Sequence, residues 1–142
     1  MRRRIAALAA TTVIAAGGML GTATSASATV DPPSGGWDHT WYTTDASHGG
    51  RVQVEEYGDI INLCDTKADG KYPEAHILAY DGLGDIRRDF TINAKGGSGV
   101  CTVSTASQGG AHDIPEGNTV SVSIWLISGK TNQYTGEYVN DH

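Results

Sequence analysis

Indole rings that alternate with hydroxyl side chains are the feature of this sequence best suited to binding chemistry. In segment 119–128 side chains alternate along a strand, so Trp125 shares one face with Ser121 and Ser123, while Val and Ile residues share the other. A flat ring can cover the apolar face of a sugar, and neighbouring hydroxyls can exchange hydrogen bonds with its OH groups. The pattern predicts an exposed carbohydrate-binding face. The alternative is that a loop or the C-terminal segment covers Trp125.

Two further indoles, Trp37 and Trp41, lie an even number of residues apart, with His39 midway between them. In a straight strand both rings face the same way and could form a binding platform. The alternative is that they close one end of a small hydrophobic core. The candidate ligand-binding residues are therefore Trp125, Ser123, Ser121, Trp37 and Trp41.

No catalytic or zinc motif is recognisable. Segment 96–100 is one Gly short of G-x-S-x-G, and Glu55 and Glu56 are adjacent, so on a strand they point to opposite faces and cannot act as a glycosidase pair. The histidines are scattered, with no pair at strand or helix ligand spacing. We therefore expect no enzyme, no metal and no cofactor. The five histidines are His39, His48, His76, His112 and His142.

Acidic turns raise the question of calcium. Segment 65–70 matches the first, fifth and sixth positions of an EF-hand loop, but Lys67 and His76 stand where the third and twelfth ligands belong. An EF-hand is excluded. A looser oxygen site remains open beside ordinary Asp-Gly turn chemistry. Its candidate ligands are Asp65, Asp69, Asp81 and Asp85.

The N-terminal segment Met1–Ala28 has the parts of a cleavable secretory signal peptide in the required order. Arg2–Arg4 supply positive charge, Ile5–Leu20 form an uncharged apolar run, and Ala26-Ser27-Ala28 fits the small-residue cleavage site. The alternative is a permanent membrane anchor, but Thr and Gly dilute the run and no Lys or Arg follows it closely. The sequence predicts an extracellular protein without a membrane association after cleavage.

Removing 28 of the 142 residues leaves 114, enough for one domain with a modest core. Three of the ten basic residues leave with the signal peptide, so seven remain against 16 acidic ones, a net charge of about −9. Such a charge disfavours nucleic acid as a partner. The remaining cysteines, Cys64 and Cys101, allow one pairing, and export favours a disulfide over two free buried thiols.

The chain after residue 36 indicates an all-β domain. Residues 29–36 are rich in Pro and Gly and form a flexible lead-in, and residues 37–142 form a single β domain in which turns separate short alternating runs. The pattern predicts an antiparallel β-sandwich, jelly-roll or immunoglobulin-like, of about eight strands, with a small barrel as the alternative. The candidate strands are 37–43, 51–57, 59–65, 75–80, 86–93, 100–105, 119–128 and 137–139.

Several segments resemble those of small secreted actinobacterial proteins. They are Trp37–Trp41, Gly58–Asp65 with Ala68–Gly70, the short Cys101-Thr102, and Ile114–Gly117. The resemblance implies export, a β-sandwich-like domain and a Cys64–Cys101 bridge. It carries no catalytic residue.

Two functions follow as hypotheses. The first is a secreted, noncatalytic domain that binds an extracellular polysaccharide or cell-wall polymer through exposed aromatic rings. The second is an inhibitor or interaction partner of a secreted hydrolase, which would use the long polar loop 106–118, stiffened by Pro115.

Overall fold

The structure is a computed structural model, and it describes residues 34–127 and 130–142. The predicted signal peptide and residues 29–33 of the lead-in lie outside the described residues. Within the described part, no helix has the length and apolar character needed to cross a membrane.

Eight strands in two antiparallel sheets make up the described domain, which confirms the predicted all-β sandwich. One sheet has the order β1-β2-β3-β6 and the other has the order β5-β4-β7-β8. Two short 3₁₀ turns lie between β6 and β7. The strands are β1 (His39–Tyr42), β2 (Gly50–Glu55), β3 (Ile60–Asp65), β4 (Pro73–Tyr80), β5 (Ile86–Asn93), β6 (Cys101–Ser104), β7 (Thr119–Leu126) and β8 (Thr131–Val139).

The two sheets pack face to face, with β1 opposite β8, β2 opposite β7, β3 opposite β4 and β6 opposite β5. Alternation through β2 and β4, and through β7 as far as Ile124, sends one set of side chains into the interface, because successive residues of a strand point to opposite faces. These residues form the hydrophobic core between the sheets. Its fully buried members are Val52, Val54, Ile61, Leu63, Ala75, Ile77, Ala79, Ala94, Val120, Val122 and Ile124.

The ends of the predicted strands differ from the observed ones mainly at the two termini of the domain. The first strand begins at His39 rather than at Trp37. Gly36, which precedes Trp37, has a φ of +90°. The last strand is much longer than the predicted segment 137–139 and covers Thr131–Val139. Asn132 and Gly136 disfavour a strand, so local propensity concealed it. Pairing with β7 stabilises it nonetheless.

A disulfide joins Cys64 of β3 to Cys101 of β6, which confirms the predicted bridge. The two residues are direct partners in the β3–β6 register. The bond closes a loop with a sequence separation of 37 residues that contains β4 and β5, two strands of the opposite sheet. It therefore ties together the chain that crosses from one sheet to the other and back.

Replacing both cysteines, as Cys64→Ser with Cys101→Ser, should lower the free energy of unfolding by about 4 kcal/mol, because the unfolded chain regains the entropy of a long open loop. Urea denaturation of the double variant and of the wild type measures the difference. Wild-type protein under reducing conditions is the control and should match the double variant. A loss below about 1 kcal/mol would show that β3–β6 pairing holds the loop without the bridge.

Candidate functional site

A concave surface lies at the open edge between the two sheets. β1 and β8 are edge strands of different sheets and face each other. Beside them lies a groove of about 290 Å³, which we call the β1–β8 groove. Aromatic, imidazole and hydroxyl side chains line it. The lining residues are Thr40, Trp41, Tyr42, Thr43, Thr44, His48 and Tyr134.

The indole of Trp41 packs directly on the backbone of Gly136 in β8. A Cβ atom at position 136 would lie only 2.2 Å from Cε2 of the Trp41 ring, so a side chain there cannot coexist with this ring position. Trp41 is partly buried and also packs against the hydrophobic core. Trp41 therefore closes the core at the open edge, as the core interpretation expected, while it also lines the groove.

A second aromatic layer supports Trp41 from behind. The His39 ring stacks on it at a centroid distance of 5.2 Å and also lies 4.9 Å from the Tyr138 ring. Nε2 of His39 is 2.8 Å from Oε1 of Glu56, which orients the imidazole. Burial, together with the nearby carboxyl groups of Asp59 and Glu56, raises the pKa of the Tyr138 phenol. The Tyr138 side chain therefore stays protonated and uncharged.

Two tyrosines form the solvent-exposed sides of the groove. Tyr42 is 42% exposed and Tyr134 is 40% exposed, so their rings are available to a ligand. The Tyr42 ring lies 5.4 Å from the His48 ring. Nδ1 of His48 is 2.9 Å from the carbonyl oxygen of Thr43; a carbonyl only accepts, so Nδ1 carries the hydrogen. Nε2 is then the acceptor nitrogen of the neutral imidazole.

The loop 43–49, which carries His48, is organised by the carboxylate of Asp45. Asp45 accepts hydrogen bonds from the backbone N–H groups of Ser47 and Gly49 at 3.1–3.2 Å and from the hydroxyls of Thr43 and Ser47. Burial acts to raise the pKa of Asp45, but these bonds outweigh it and lower the pKa to about 2. The same loop holds His48 at a φ of 49°, a left-handed conformation that non-glycine residues seldom adopt.

The prediction that the indole of Trp125 is exposed is wrong, because this residue is only 5% exposed. The β7–β8 register shifts between Ile124 and Leu126. The ammonium of Lys130, in the following turn, lies 4.7 Å from the centroid of the Trp125 ring. The burial of the ring agrees with the alternative expectation, that a loop or the C-terminal segment covers Trp125.

The other predicted binding residues are dispersed. Ser121 and Ser123 stay on the outer face of β7, where Oγ of Ser123 is 2.8 Å from Oγ1 of Thr135 in β8. Because Trp125 is buried, these hydroxyls lack the indole that the prediction placed beside them. Trp37 is half-buried, precedes β1, and is not among the residues lining the groove. Of the five candidates, the structure places only Trp41 in the groove.

The sequence did not indicate Tyr42, His48 or Tyr134 as site residues. Tyr42 follows Trp41 directly in β1, so the two side chains point to opposite faces of the strand. Both can line the groove, because β1 is an edge strand and the groove runs along its free edge. Tyr134 lies in the part of β8 for which no strand was predicted. The sequence 131–139 does carry a signal for a strand with aromatic side chains on one face, because Tyr134 and Tyr138 alternate with a single Gly136 between them.

One cluster of potential metal ligands occurs outside the groove in the described residues. Ligand atoms of Glu56, Asp141 and His142 lie within 4.8 Å of one another. Glu56 is already engaged with His39, however, and the side chains of Asp141 and His142 are exposed, so we assign no ion to this cluster.

Three of the four acidic residues considered for calcium, Asp65, Asp69 and Asp81, accept hydrogen bonds within the protein. Oδ1 of Asp65 accepts from Lys67 N–H, and Oδ1 of Asp69 accepts from Lys71 N–H. Asp81 accepts backbone hydrogen bonds and the guanidinium of Arg87. These bonds are the turn chemistry expected of Asp.

The loop 106–118, which the inhibitor hypothesis requires, is anchored to the domain by a buried polar cluster. Ile114 is 2% exposed and donates its N–H to Oδ2 of Asp59 at 2.8 Å. Asn140 donates Nδ2 to Oδ1 of Asp59 and to the carbonyl of Ile114. Burial raises the pKa of Asp59, although these bonds offset part of the effect. The side chain of Ile114 therefore points inward, where it cannot contact a partner.

Gly136→Ala should destabilise the protein by about 2 kcal/mol, because the new Cβ overlaps the Trp41 ring and forces one of the two strands to shift. In a Trp41→Ala background the same substitution should cost far less, since the overlapping ring is gone. Chemical denaturation of the two single variants and the double variant measures this coupling. An equal cost of Gly136→Ala in both backgrounds would contradict the packing.

Asp45→Asn should destabilise the protein by about 1 kcal/mol near neutral pH, after allowance for solvent screening, because the amide cannot accept all the hydrogen bonds of the carboxylate. The folded pKa of about 2 lies below the ordinary 3.8, so this stability is present above pH 3.8 and is lost as pH falls toward 2. Denaturant unfolding over this range should show wild type and variant converging. Asp69→Asn, at an exposed turn, is the matched control; a constant gap for Asp45→Asn would refute the assignment.

No family model matches this chain, and no curated protein and no solved structure matches it either. The functional inference therefore depends on the residues of the site and their geometry.

Proposed function

We propose that this chain is a secreted, noncatalytic binding domain whose β1–β8 groove takes a carbohydrate or cell-wall polymer. The observation that carries the proposal is the composition of the groove, in which Trp41, Tyr42 and Tyr134 surround threonine hydroxyls and His48 at an open edge of the domain. Ligand sites of this kind combine apolar surface with a few well-placed polar groups. Aromatic faces suit the C–H side of sugar rings, and the polar groups suit their OH groups.

Extracellular location is supported by two independent features. The sequence of Met1–Ala28 has the arrangement of a signal peptide. The Cys64–Cys101 disulfide persists in an oxidising compartment. Polymers of the cell surface or of the surroundings are therefore the ligands within reach of the groove.

A binding role without catalysis is supported by the chemistry of the groove. The seven residues that line it include no carboxylate, whereas glycoside hydrolysis uses a pair. The imidazole of His48 directs its Nδ1–H to the backbone of Thr43, so the loop orients the ring. The inhibitor hypothesis has no comparable support, because Ile114 is buried in the loop that would carry it.

Tyr134→Ala and Tyr42→Ala should each weaken polymer binding about tenfold or more, because each removes one exposed ring from the groove. Co-sedimentation with insoluble cellulose, chitin and peptidoglycan measures the bound fraction. Tyr57→Ala is the matched control, since Tyr57 is 76% exposed and lies in a turn outside the groove. If the wild-type protein sediments with no polymer, or if all three variants bind like wild type, the proposed function is wrong.

A further inference from the structure

We infer that the polymer bound in the β1–β8 groove is an uncharged polysaccharide, rather than an anionic polymer or an extended peptide. This inference rests on the proposed function and adds the class of ligand. It follows from the charges, the hydrogen-bonding groups and the strand edge that the groove presents.

The groove is lined by no carboxylate, lysine or arginine side chain. Its seven lining residues are threonines, aromatic residues and one histidine. The nearest carboxylate of the supporting loop, Asp45, is occupied by hydrogen bonds from Thr43, Ser47 and Gly49. A cationic polymer therefore finds no available acid here.

The neighbouring cations are directed elsewhere. Arg51, the strand partner of Tyr42, has Nη2 at 3.8 Å from the Sγ atom of Cys64. Lys130 lies over the ring of Trp125. A phosphate or carboxylate in the groove would thus lose hydration without gaining an ion pair, which is unfavourable.

The charge of the whole domain acts in the same direction. After loss of the three arginines of the signal peptide, seven basic residues face 16 acidic ones, a net charge of about −9. An anionic polymer is therefore repelled as it approaches, and the repulsion weakens only as salt screens it. A neutral polysaccharide meets no such barrier.

The polar groups of the groove match hydroxyls, which can both donate and accept. Thr40 and Thr44 are exposed, and His48 directs its Nδ1–H to the Thr43 carbonyl, which leaves Nε2 as the ring nitrogen for a ligand. Thr43 donates its N–H to the Gly50 carbonyl, so by alternation the backbone groups of Thr40 and Tyr42 point away from β2. These groups suit a ring of sugar hydroxyls without any charge.

A peptide added as a further strand is disfavoured by the same edge. The N–H of Thr44 already donates to the carbonyl of Asn132 at the start of β8, at 2.9 Å. This hydrogen bond closes the free edge of β1 just after Tyr42. The part of the edge that remains open to a peptide is shorter than most paired strands. A groove of about 290 Å³ fits instead a short stretch of polymer whose chain continues into solvent on both sides.

Isothermal titration calorimetry on the secreted full chain can test this inference with three soluble ligand classes. The neutral probes are oligomers of β-linked glucose and of N-acetylglucosamine, the anionic probe is oligogalacturonate, and the peptide probe alternates Thr and Val. We expect a neutral oligomer to bind at least tenfold more tightly than the other two. Raising NaCl from about 0.05 to about 0.5 M should change that affinity less than twofold.

Tyr134→Ala should weaken neutral binding about tenfold, whereas Tyr57→Ala should leave it unchanged. Preferred binding of oligogalacturonate, abolished by Tyr134→Ala, overturns the inference and leaves the proposed function intact. Neutral binding that neither Tyr134→Ala nor Tyr42→Ala affects also overturns the inference, because the site then lies elsewhere. If only the peptide binds, or if no probe binds and no polymer co-sediments, the proposed function fails as well.

Discussion

The contact between the Trp41 indole and the backbone of Gly136 determines what the open edge of this sandwich can be. β1 and β8 belong to different sheets and share no backbone ladder, so side chains must close the core between them. Trp41 does so because residue 136 has no side chain to keep the ring away. Tyr134, two residues earlier in β8, lines the groove together with Tyr42. Core closure and groove formation are thus one packing event.

Carboxylates organise the loops around this edge instead of carrying the chemistry of the site. Asp45 collects four donor groups of loop 43–49, and Asp59 joins the loop before β7 to the segment after β8. Asp81 does the same in the β4–β5 hairpin. An acidic domain can therefore present a groove without charge, because several of its acids are used as acceptors for backbone N–H groups.

The fold was largely predictable from the sequence, whereas the site was not. Alternation in β2, β4 and β7 and the pair of cysteines carry enough local information to predict a disulfide-bridged all-β sandwich. Trp125 also obeys the alternation, but its exposure depends on the β7–β8 register shift and on Lys130, which are tertiary features. β8 was underestimated because Gly136, unfavourable for a strand, is required by the distant Trp41. The groove needs two strands that are neighbours only in space, so no window of sequence contains it.

Nuclear magnetic resonance on the isotopically labelled domain tests the central claim most directly, because each indole N–H gives a separate signal. On titration with a neutral oligosaccharide, the Trp41 indole and the backbone amides of Thr40, Thr44 and Tyr134 should shift together along one saturable curve. The Trp125 indole, buried beneath Lys130, should not move. Shifts centred on Trp125 with an unchanged Trp41 would contradict the account, because the ligand would then bind outside the β1–β8 groove.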